Sequence, residues 1–417
     1  MSHNKPSTTI SFEDTSLAFA YKSNGQLKKA HFLFSQMGNP FFLKLGLKLM
    51  PLAIKFKFPF IKSIIKATIF QQFVGGETLE ETVSVANELE KYNVKVILDY
   101  GVEGGEGEAA FDNATKEFIS VIEYAATQSN IPFISIKITG IARFGLLEKL
   151  NEVMLKNIDA DLLSRLQLAA NHLSEHEKIE WEKVVSRLEK ICIVAQKNNI
   201  SVLVDAEESW IQEPIDAIAI EMSIRFNKEK AIIYNTIQMY RHSRLDFLNS
   251  SLAITSNNGV INGVKLVRGA YMEKERKRAI EKNYLSPIQT CKENTDKDYN
   301  EALEFCINNL KDFALIVASH NEYSNLYATQ LLSATNLAAN HANIHFSQLY
   351  GMSDNITFNL ANATISVSKY LPFGPIKDVI PYLMRRAQEN SSVAGQTGRE
   401  LSLIKKELQR RKSVGKL

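Results

Sequence analysis

The feature that most restricts the fold is a repeated alternation of short apolar segments and longer amphipathic segments, which begins after residue 76. Eight apolar segments have the length and composition of buried strands, at residues 94–100, 133–139, 201–206, 232–239, 263–267, 313–318, 344–349 and 365–371. Amphipathic helices are predicted between them. Continuous apolar strands separated by helices indicate a parallel sheet that is covered on both faces. Eight such strands predict an α/β protein with a closed (βα)8 barrel of the TIM type.

The rest of the chain predicts additions to this barrel. Residues 1–75 are expected to form an N-terminal helical arm, residues 76–398 the catalytic barrel, and residues 399–417 a basic helical tail that ends in solvent. Residues 141–199 lie between predicted strands 2 and 3 and are rich in charge, so they predict a helical insertion. A length of 417 residues is compatible with a single barrel of this kind.

Composition argues against several classes of protein and site. The net charge is +3, which provides no reason to expect a nucleic-acid partner. The three cysteines, Cys192, Cys291 and Cys306, have no paired spacing, which argues against disulfides and zinc and fits a reducing compartment. His341 and His345 have no third candidate ligand, so no metal site is predicted. Because the sequence has neither a secretory signal pattern nor an apolar membrane span, a cytoplasmic location is expected.

Residues 41–72 form a basic amphipathic pattern in which lysines alternate with phenylalanine, leucine and isoleucine. The lysines are Lys44, Lys48, Lys55, Lys57, Lys62 and Lys66. One interpretation is an arm of helices that packs on the barrel, with the lysine side chains extending into water. The other is peripheral contact with an anionic membrane surface, on the inner face of the cytoplasmic membrane. The two interpretations are compatible if only one face of the arm packs.

Nearly every predicted strand ends in a polar or ionisable residue. These residues are Asp99, Lys137, Asp205, Gln238, Arg268, His320, Gln348 and Tyr370. The catalytic groups of a (βα)8 barrel project from the C-terminal ends of its strands. A barrel with a purely structural role does not need polar groups there. The pattern therefore favours an enzyme over a membrane-bound scaffold with an inert barrel.

Two adjacent arginines, Arg385 and Arg386, lie in a segment with helical periodicity, and Glu389 shares an edge of that helix. Two guanidinium groups can clamp one carboxylate from two directions, although a solvated salt-bridged face is the common alternative. Lys137 follows an apolar strand and has three interpretations. It is a lysine with its ammonium in water, a Schiff-base lysine of a barrel aldolase, or a third cation for a bound carboxylate.

Five segments of the sequence resemble the proline dehydrogenase family. They are Tyr370-Leu-Pro-Phe-Gly374, Tyr382-Leu-Met-Arg-Arg-Ala-Gln-Glu-Asn390, Val267-Arg-Gly-Ala-Tyr271, Asp205-Ala-Glu-Glu208 and Ser319-His-Asn321. They occur in the order of the family and are spread over most of the chain from about residue 99 onward. Each segment alone is a weak signal, but the set is specific.

The resemblance implies a substrate site. Arg385, Arg386 and Lys137 are implied to hold the substrate carboxylate over a flavin. Tyr370 is implied to pack on the substrate ring, and Glu389 belongs to the same substrate-binding set. Related enzymes that prefer hydroxyproline tend to have a smaller residue at the position of Tyr370, so this tyrosine favours proline itself.

The resemblance also implies a cofactor site and a gate. Asp205 and Lys265 are the implied catalytic residues, and Lys265 stands where the family often has arginine, which keeps the charge but loses the guanidinium fork. A fixed cation near the flavin stabilises the negative charge of the reduced ring. Gly269 permits a close backbone approach to a cofactor, and Glu103 is the candidate partner of Arg385 in the gate. The implied cofactor contacts are Ala206, Gln238, Val267, Arg268, Gly269, Ser319 and His320.

The implied function is FAD-dependent oxidation of L-proline to 1-pyrroline-5-carboxylate, with electrons passed to a quinone. A hydroxyproline dehydrogenase of the same family is the nearest alternative. A Schiff-base aldolase that uses Lys137 is the more distant enzymatic alternative. The sequence has no nicotinamide-binding fingerprint, and the chain is expected to be monofunctional.

Overall fold

The structure is a computed structural model that describes residues 10–37, 61–101, 105–392 and 396–416. Eight strands form a closed barrel in which neighbours in the sequence are neighbours in the sheet. The strands are β1 Lys95–Tyr100, β2 Phe133–Ile136, β3 Ser201–Val204, β4 Ile233–Gln238, β5 Asn262–Val267, β6 Phe313–Ala318, β7 Ile344–Leu349 and β8 Val367–Phe373. The predicted (βα)8 barrel is therefore confirmed.

The strand pairs are parallel, as the continuous apolar segments predicted. In β2 and β3 every residue is buried, and Ile136 pairs in register with Val204. Parallel strands cannot be joined by a tight hairpin and need a long crossover, which the intervening helices provide. The C-terminal ends of neighbouring strands consequently lie at the same end of the barrel.

The helices have the following bounds. In chain order they are α1 Thr15–Ala18, α2 Asn24–Met37, α3 Ile61–Ile65, α4 Gln71–Phe73, α5 Leu79–Glu90, α6 Glu108–Ala126, α7 Phe144–Lys156, α8 Leu162–Asn171, α9 Glu175–Asn198, α10 Ser209–Phe226, α11 Arg244–Asn257, α12 Met272–Lys282, α13 Lys292–Asn308, α14 Glu322–Ala334, α15 Asp354–Asn362, α16 Ile376–Ser392 and α17 Gln396–Ser413. A π-helical turn at Lys66–Phe70 lies between α3 and α4. Within the described ranges, none of these helices has the length and apolar character needed to cross a membrane.

A 3₁₀ turn at Ile138–Gly140 follows β2, so the strand predicted over residues 133–139 is shorter than expected. The helices α7, α8 and α9 come next in the chain, before β3, and they confirm the predicted insertion. Ser174 and Glu177 form a capping box at the start of α9. Asn199 ends the same helix in the left-handed conformation, with φ 57°.

The described residues divide into two compact units. The terminal unit comprises Met1–Val96, His320–Leu326 and Phe346–Leu417, and the central unit comprises Ile97–Ser319 and Tyr327–His345. This partition differs from the predicted arm, barrel and tail, and that division stays a prediction.

Both ends of the chain contribute to the apolar core of the terminal unit. Its buried residues include Leu27 and Phe34 of α2, Phe73 of α4, Leu383 of α16 and Leu403 of α17. The N-terminal helices are thus an integral part of this unit, because their apolar faces are covered by the helices that follow β8.

The segment before α5 approaches β8 closely. The Gly75 N–H donates to the Pro372 carbonyl at 2.8 Å, and the Gly374 N–H donates to the Gly76 carbonyl at 3.0 Å. A Cβ atom at Gly75 would lie 2.8 Å from Cγ of Leu371. A side chain at position 75 would therefore clash with the Leu371 side chain.

Helix α17 is not the solvated tail that the sequence predicted. Leu403 and Ile404 are each 1% exposed. The Arg411 guanidinium donates to the Phe19 carbonyl at 2.8 Å and to the Lys22 carbonyl at 2.9 Å. The basic residues had suggested a helix in water, but one face of this helix is apolar and is buried in the terminal unit.

Candidate active site

The polar residues predicted at the strand ends lie at or next to those ends, with one exception. Asp99, Gln238 and Gln348 are the last or next-to-last residues of their strands, and Lys137, Asp205, Arg268 and His320 follow theirs within two residues. Tyr370 lies inside β8, because that strand continues to Phe373. The arrangement is the one in which a (βα)8 barrel presents functional groups.

Asp205 and Lys265 form a buried ion pair in the central unit. Asp205 directly follows β3, where its backbone N–H donates to the Ile136 carbonyl at 2.9 Å, and Lys265 lies within β5. The Lys265 ammonium donates to Oδ1 of Asp205. The Lys265 and Asp205 side chains are 6% and 13% exposed. Because a buried charge without a partner is costly, each of these charges compensates the other. The structure thus brings together the two residues predicted to be catalytic.

Arg268 and Ser319, two of the predicted cofactor residues, are also in contact. Nη1 of Arg268 donates to Oγ of Ser319 at 2.7 Å, and Nε donates to Oδ1 of Asp296 at 2.7 Å. The guanidinium carbon lies 4.4 Å from the ring centre of Tyr299. Burial acts to raise the pKa of Asp296, but Lys292 and Arg268 outweigh it and hold the pKa below its usual range. Asp296 was not predicted from the sequence, because it lies in the helix α13 and outside every strand end.

Gly269, a predicted cofactor residue, lies against an aromatic side chain. Its φ is +137°, and a Cβ atom there would lie 2.4 Å from ring atoms of Tyr240. A side chain at position 269 would therefore clash with Tyr240, and the predicted approach of this backbone to a cofactor stays a prediction. Nearby, Gln238 and Val267 are register partners in the β4–β5 pair. Ala206, the remaining predicted cofactor contact of the central unit, is 9% exposed.

The polar groups of the central unit fit a flavin. Gln238 is 2% exposed, and among the described residues no group forms a hydrogen bond with its Oε1 atom. A buried amide of this kind suits the edge of a ring that carries both N–H and C=O groups. Lys265 and Arg268 are cations in and directly after β5. They suit a cofactor that has phosphate groups and a ring that gains negative charge on reduction.

Glu207 is a buried carboxyl group that the sequence analysis did not select. It is 4% exposed, and it accepts hydrogen bonds from the Thr139 hydroxyl at 2.5 Å and the Thr139 N–H at 3.1 Å. Burial raises its pKa to about 7, although the Thr139 hydrogen bonds and the charge of Lys137 act in the opposite direction. Lys137 is itself half-buried at the end of β2. Glu207 and Lys137 therefore influence each other electrostatically.

In the terminal unit, two predicted substrate residues are buried. Tyr370 is 9% exposed on β8, and Arg386 is 6% exposed on α16. The guanidinium carbon of Arg386 lies 5.1 Å from the ring centre of Tyr382, in the geometry of a cation–π contact. Arg385, the adjacent residue, is half-buried. Burial on a helix restricts the orientations of both guanidinium groups.

Two predicted positions lie outside the part of the chain that the structure describes. They are Glu103, the predicted gate residue, and the side chain of Glu389. Most of the basic segment 41–72 lies outside it as well, with only residues 61–72 described.

The terminal unit also contains a buried ion pair that the sequence analysis missed. Lys369, in β8, is fully buried, and its ammonium lies 2.9 Å from Oδ1 of Asp354 and donates to the Met352 carbonyl at 2.5 Å. The Tyr21 hydroxyl donates to Oδ2 of Asp354 at 2.8 Å. Burial acts to raise the pKa of Asp354, but Lys369 and Lys22 outweigh it, so this pKa lies below its usual range. A lysine inside an apolar strand was the only signal in the sequence.

His320, a predicted cofactor residue, contacts the loop after β7. Its Nδ1 atom lies 2.9 Å from Oγ of Ser353, which immediately precedes α15. His320 is half-buried, whereas Ser353 is 3% exposed. The histidine ring is therefore held at one of its two nitrogens by a side chain with little access to water.

Comparison with known proteins agrees with the resemblance of the motifs. A family model described as proline dehydrogenase matches residues 82–399. "Proline dehydrogenase 1, mitochondrial" of Dictyostelium discoideum is 33% identical over 374 residues, which is 83% of this chain and 65% of that protein. The hydroxyproline dehydrogenase of Xenopus laevis is 31% identical over 366 residues, which is 83% of this chain and 78% of that protein.

A solved structure shares the fold. The crystal structure of proline utilization A (PutA) from Bdellovibrio bacteriovorus, inactivated by N-propargylglycine, superposes with a TM-score of 0.69 and 18% sequence identity. The match covers 97% of this chain and 42% of that chain. At this identity the likeness concerns the fold alone. The chain thus spans 65% of the Dictyostelium protein and less than half of the PutA chain.

Proposed function

We propose that this chain, which belongs to the proline dehydrogenase family, oxidises L-proline to 1-pyrroline-5-carboxylate with FAD as its cofactor. The observation that carries the proposal is the buried Lys265–Asp205 pair. It places a fixed cation and a carboxylate where a (βα)8 enzyme carries its chemistry. They are also the two residues to which the family resemblance assigns that chemistry.

In this proposal, Arg385, Arg386 and Lys137 bind the carboxylate of proline. A carboxylate and a guanidinium form paired, charge-assisted hydrogen bonds that fix orientation as well as position. The contact between Arg386 and the Tyr382 ring supports this role, because it limits the freedom of the guanidinium before the substrate arrives. Tyr370 packs against the ring of the substrate.

The reaction removes two electrons and two protons from proline and forms a C=N bond between the ring nitrogen and C5. FAD, when bound, supplies the acceptor for the hydride that leaves C5. Lys265 stabilises the negative charge that develops during this transfer, because its ammonium is fixed and largely removed from water. Asp205 holds that ammonium in place. Ala206, Gln238, Val267, Arg268, Gly269, Ser319 and His320 bind the cofactor.

The direct test is the visible spectrum of the purified protein. We expect a yellow protein whose flavin absorbance bleaches when L-proline is added without oxygen. D-proline, which has the same composition and the opposite configuration, is the matched control and should bleach it far more slowly. A protein that stays colourless when supplied with FAD, or a yellow protein that L-proline does not bleach, contradicts the proposal.

The variant Arg386→Met tests the carboxylate clamp. Losing a charge-assisted hydrogen bond to the substrate should raise the KM for proline about 10²-fold. This is the size of effect expected from the binding free energy of a hydrogen bond between charged groups. The flavin should remain bound. The control is Arg410→Met, which removes an arginine that pairs with Glu407 on α17. Equal KM values for the two variants would remove Arg386 from the substrate site.

A hydroxyproline dehydrogenase is the second candidate, and the relative from Xenopus laevis supports it. Comparing kcat/KM for L-proline and trans-4-hydroxy-L-proline distinguishes the two. The presence of Tyr370 leads us to expect a preference for proline. If Tyr370 excludes the hydroxyl group, replacing it with serine should shift the ratio toward hydroxyproline. The aldolase alternative is not proposed, because the chain belongs to a different family.

We further propose a quinone as the electron acceptor and a peripheral membrane contact through residues 41–72. The motivation is the basic amphipathic sequence of that segment. Co-sedimentation with vesicles of anionic and of neutral lipids tests the contact. Reduction of a soluble quinone by the proline-reduced protein tests the acceptor. The cytoplasmic location stays a prediction.

A further inference from the structure

Helix α17 contributes a carboxyl group to the interior of the terminal unit. Glu400 is 5% exposed and accepts a hydrogen bond from the backbone N–H of Ser353. The two residues are 47 positions apart in the chain. Ser353 precedes α15, and the first backbone N–H groups of a helix have no partner within the helix. Glu400 therefore acts as a capping group that a distant helix supplies.

Ser353 has an unusual backbone conformation at this contact. Its φ and ψ are 49° and 44°, in the left-handed region. For a residue with a side chain this conformation costs about 1–2 kcal/mol, so the surrounding contacts must maintain it. One such contact is the bond from its N–H to Glu400, and another is the bond between its hydroxyl and His320 at 2.9 Å.

Glu400 lies among charged and polar groups of the terminal unit. The groups that act on it are the Asp354 carboxylate, the Ser353 N–H and the ammonium groups of Lys369 and Lys22. Lys22 lies 3.7 Å from Oδ2 of Asp354, and Lys369 lies 2.9 Å from Oδ1. With Glu400 itself, these charged side chains number four. They come from α15, α17, β8 and the segment before α2. The Ser353 N–H and the two ammonium groups favour the ionised form of Glu400, whereas burial and the Asp354 carboxylate oppose it and raise its pKa to about 7.

A hydrogen-bond partner on one ring nitrogen of a histidine sets the orientation of the whole ring. The hydrogen bond at Nδ1 therefore also sets the direction in which the Nε2 atom points. In this chain that partner is Ser353, whose backbone N–H donates to Glu400.

We infer that Glu400 is a positioning residue for His320. It acts through Ser353, whose backbone it holds in the conformation that directs the hydroxyl at His320. The inference deepens the proposed function, because it rests on His320 being a flavin-binding residue. It extends the cofactor site to a helix that none of the recognised motifs includes.

The first test needs no flavin. In flavin-free protein with ¹⁵N-labelled histidine, the ring signals of His320 are identified by their loss in His320→Asn. We expect Ser353→Ala and Glu400→Ala both to shift these signals. Glu400→Gln should leave them in place, because the amide oxygen still accepts from the Ser353 N–H. Signals that do not move in either alanine variant overturn the inference.

The second test is the affinity of the flavin-free protein for FAD, followed by quenching of flavin fluorescence. We expect Ser353→Ala and Glu400→Ala each to weaken binding about 10-fold, a scale typical of outer contacts that orient a ligand-binding histidine. The double variant should be no weaker than either single variant, because the two residues act in series. Fully additive effects would mean that Glu400 does not act through Ser353.

Glu407→Ala is the matched control on the same helix. Glu407 is fully buried and pairs with Arg410 and Arg411. This variant should lower stability, yet leave the His320 signals and the FAD affinity unchanged. If it changes them as much as Glu400→Ala does, the effect is a general loosening of α17 and the inference fails. Ser353→Ala keeps the test valid if Glu400→Ala does not fold.

The outcomes also separate this inference from the proposed function. A protein that binds FAD but is not reduced by proline contradicts the reaction and leaves the link from Glu400 to His320 intact. A protein that is reduced by proline, with unchanged His320 signals in the variants, contradicts only the link.

Discussion

The two units each contain a buried lysine–aspartate pair on a barrel strand, and the pairs differ in their surroundings. Lys265 of β5 pairs with Asp205, and their side chains are 6% and 13% exposed. Lys369 of β8 pairs with Asp354, and their side chains are 0% and 3% exposed. The first pair retains some access to solvent at its carboxylate, whereas the second has almost none.

The second pair has several further partners. The Lys369 ammonium donates to a backbone carbonyl, and the Tyr21 hydroxyl and Lys22 ammonium approach Asp354. A buried charge with fixed partners stabilises one arrangement of the strands and helices that carry those partners. Because the Lys369–Asp354 pair is almost completely buried, a substrate has no access to it. We therefore propose different roles for two similar lysines in apolar strands, a chemical role for Lys265 and a structural role for Lys369.

The largest expected effect is the loss of stability in Lys369→Met. Removing one partner of a buried ion pair leaves an uncompensated charge, which costs about 3–5 kcal/mol. Urea denaturation measures the free energy of unfolding. Lys95→Met, at the exposed start of β1, is the control and should change stability little. If Lys369→Met lowers the free energy of unfolding no more than the control does, the Lys369–Asp354 pair does not have the proposed structural role.

The next largest effect is on the rate of flavin reduction, in the variant Lys265→Met. Removing a fixed charge that stabilises the transition state should slow proline-driven flavin reduction about 10²–10³-fold. Stopped-flow absorbance measures this rate. The loss of stability should be smaller than in Lys369→Met, since Asp205 can recover some hydration. Lys265→Arg keeps the charge and should recover most of the rate. If both variants reduce flavin at the wild-type rate, Lys265 has no chemical role.

A third effect concerns pH. Burial and the Asp354 carboxylate raise the pKa of Glu400 to about 7, from 4.5 for an ordinary glutamate. The unfolded chain loses this proton near its ordinary pKa, while the folded chain keeps it until about pH 7. The stability that the proton supports is therefore lost as pH rises from about 5 to about 8.

Glu400→Gln should remove this dependence. Relative to the variant, the wild type should lose on the order of 1–3 kcal/mol across that interval, as urea denaturation at several pH values will measure. Parallel curves for the two proteins would show that Glu400 does not titrate in this range. Glu207→Gln tests the corresponding carboxyl of the central unit, whose pKa is also raised to about 7.

The smallest expected effect is the loss of stability when a single helix cap is removed. Ser174→Ala removes the side chain that caps α9 in the insertion, away from both ion pairs. Loss of such a cap costs about 1 kcal/mol. The same urea measurement should give a loss well below that of Lys369→Met. Comparable losses would mean that the buried pair contributes no more than a surface cap.

Sequence patterns could predict the barrel and much of the candidate site because both depend on local order. The strand β6, for example, is an uninterrupted apolar segment, and the prediction of residues 313–318 matches its bounds. Asp205 was recognisable because it follows such a segment within a family motif, and Lys265 because it interrupts the segment that leads into another. Asp296 and Glu400 could not be recognised, because each lies on a helix among many other charged residues.

The sequence by itself determined the eight parallel strands, the helices between them and the polar residues at the strand ends. Only the tertiary structure decided which charges are paired. Adjacent residues of a strand point to opposite sides, so Lys369 and its neighbour Tyr370 face different surroundings, and no pattern of spacing says which side is closed. Asp354, the partner of Lys369, also contacts Tyr21 and Lys22 near the start of the chain, and Ser353 contacts Glu400 near its end. These contacts exist only after both ends of the chain have packed in the terminal unit.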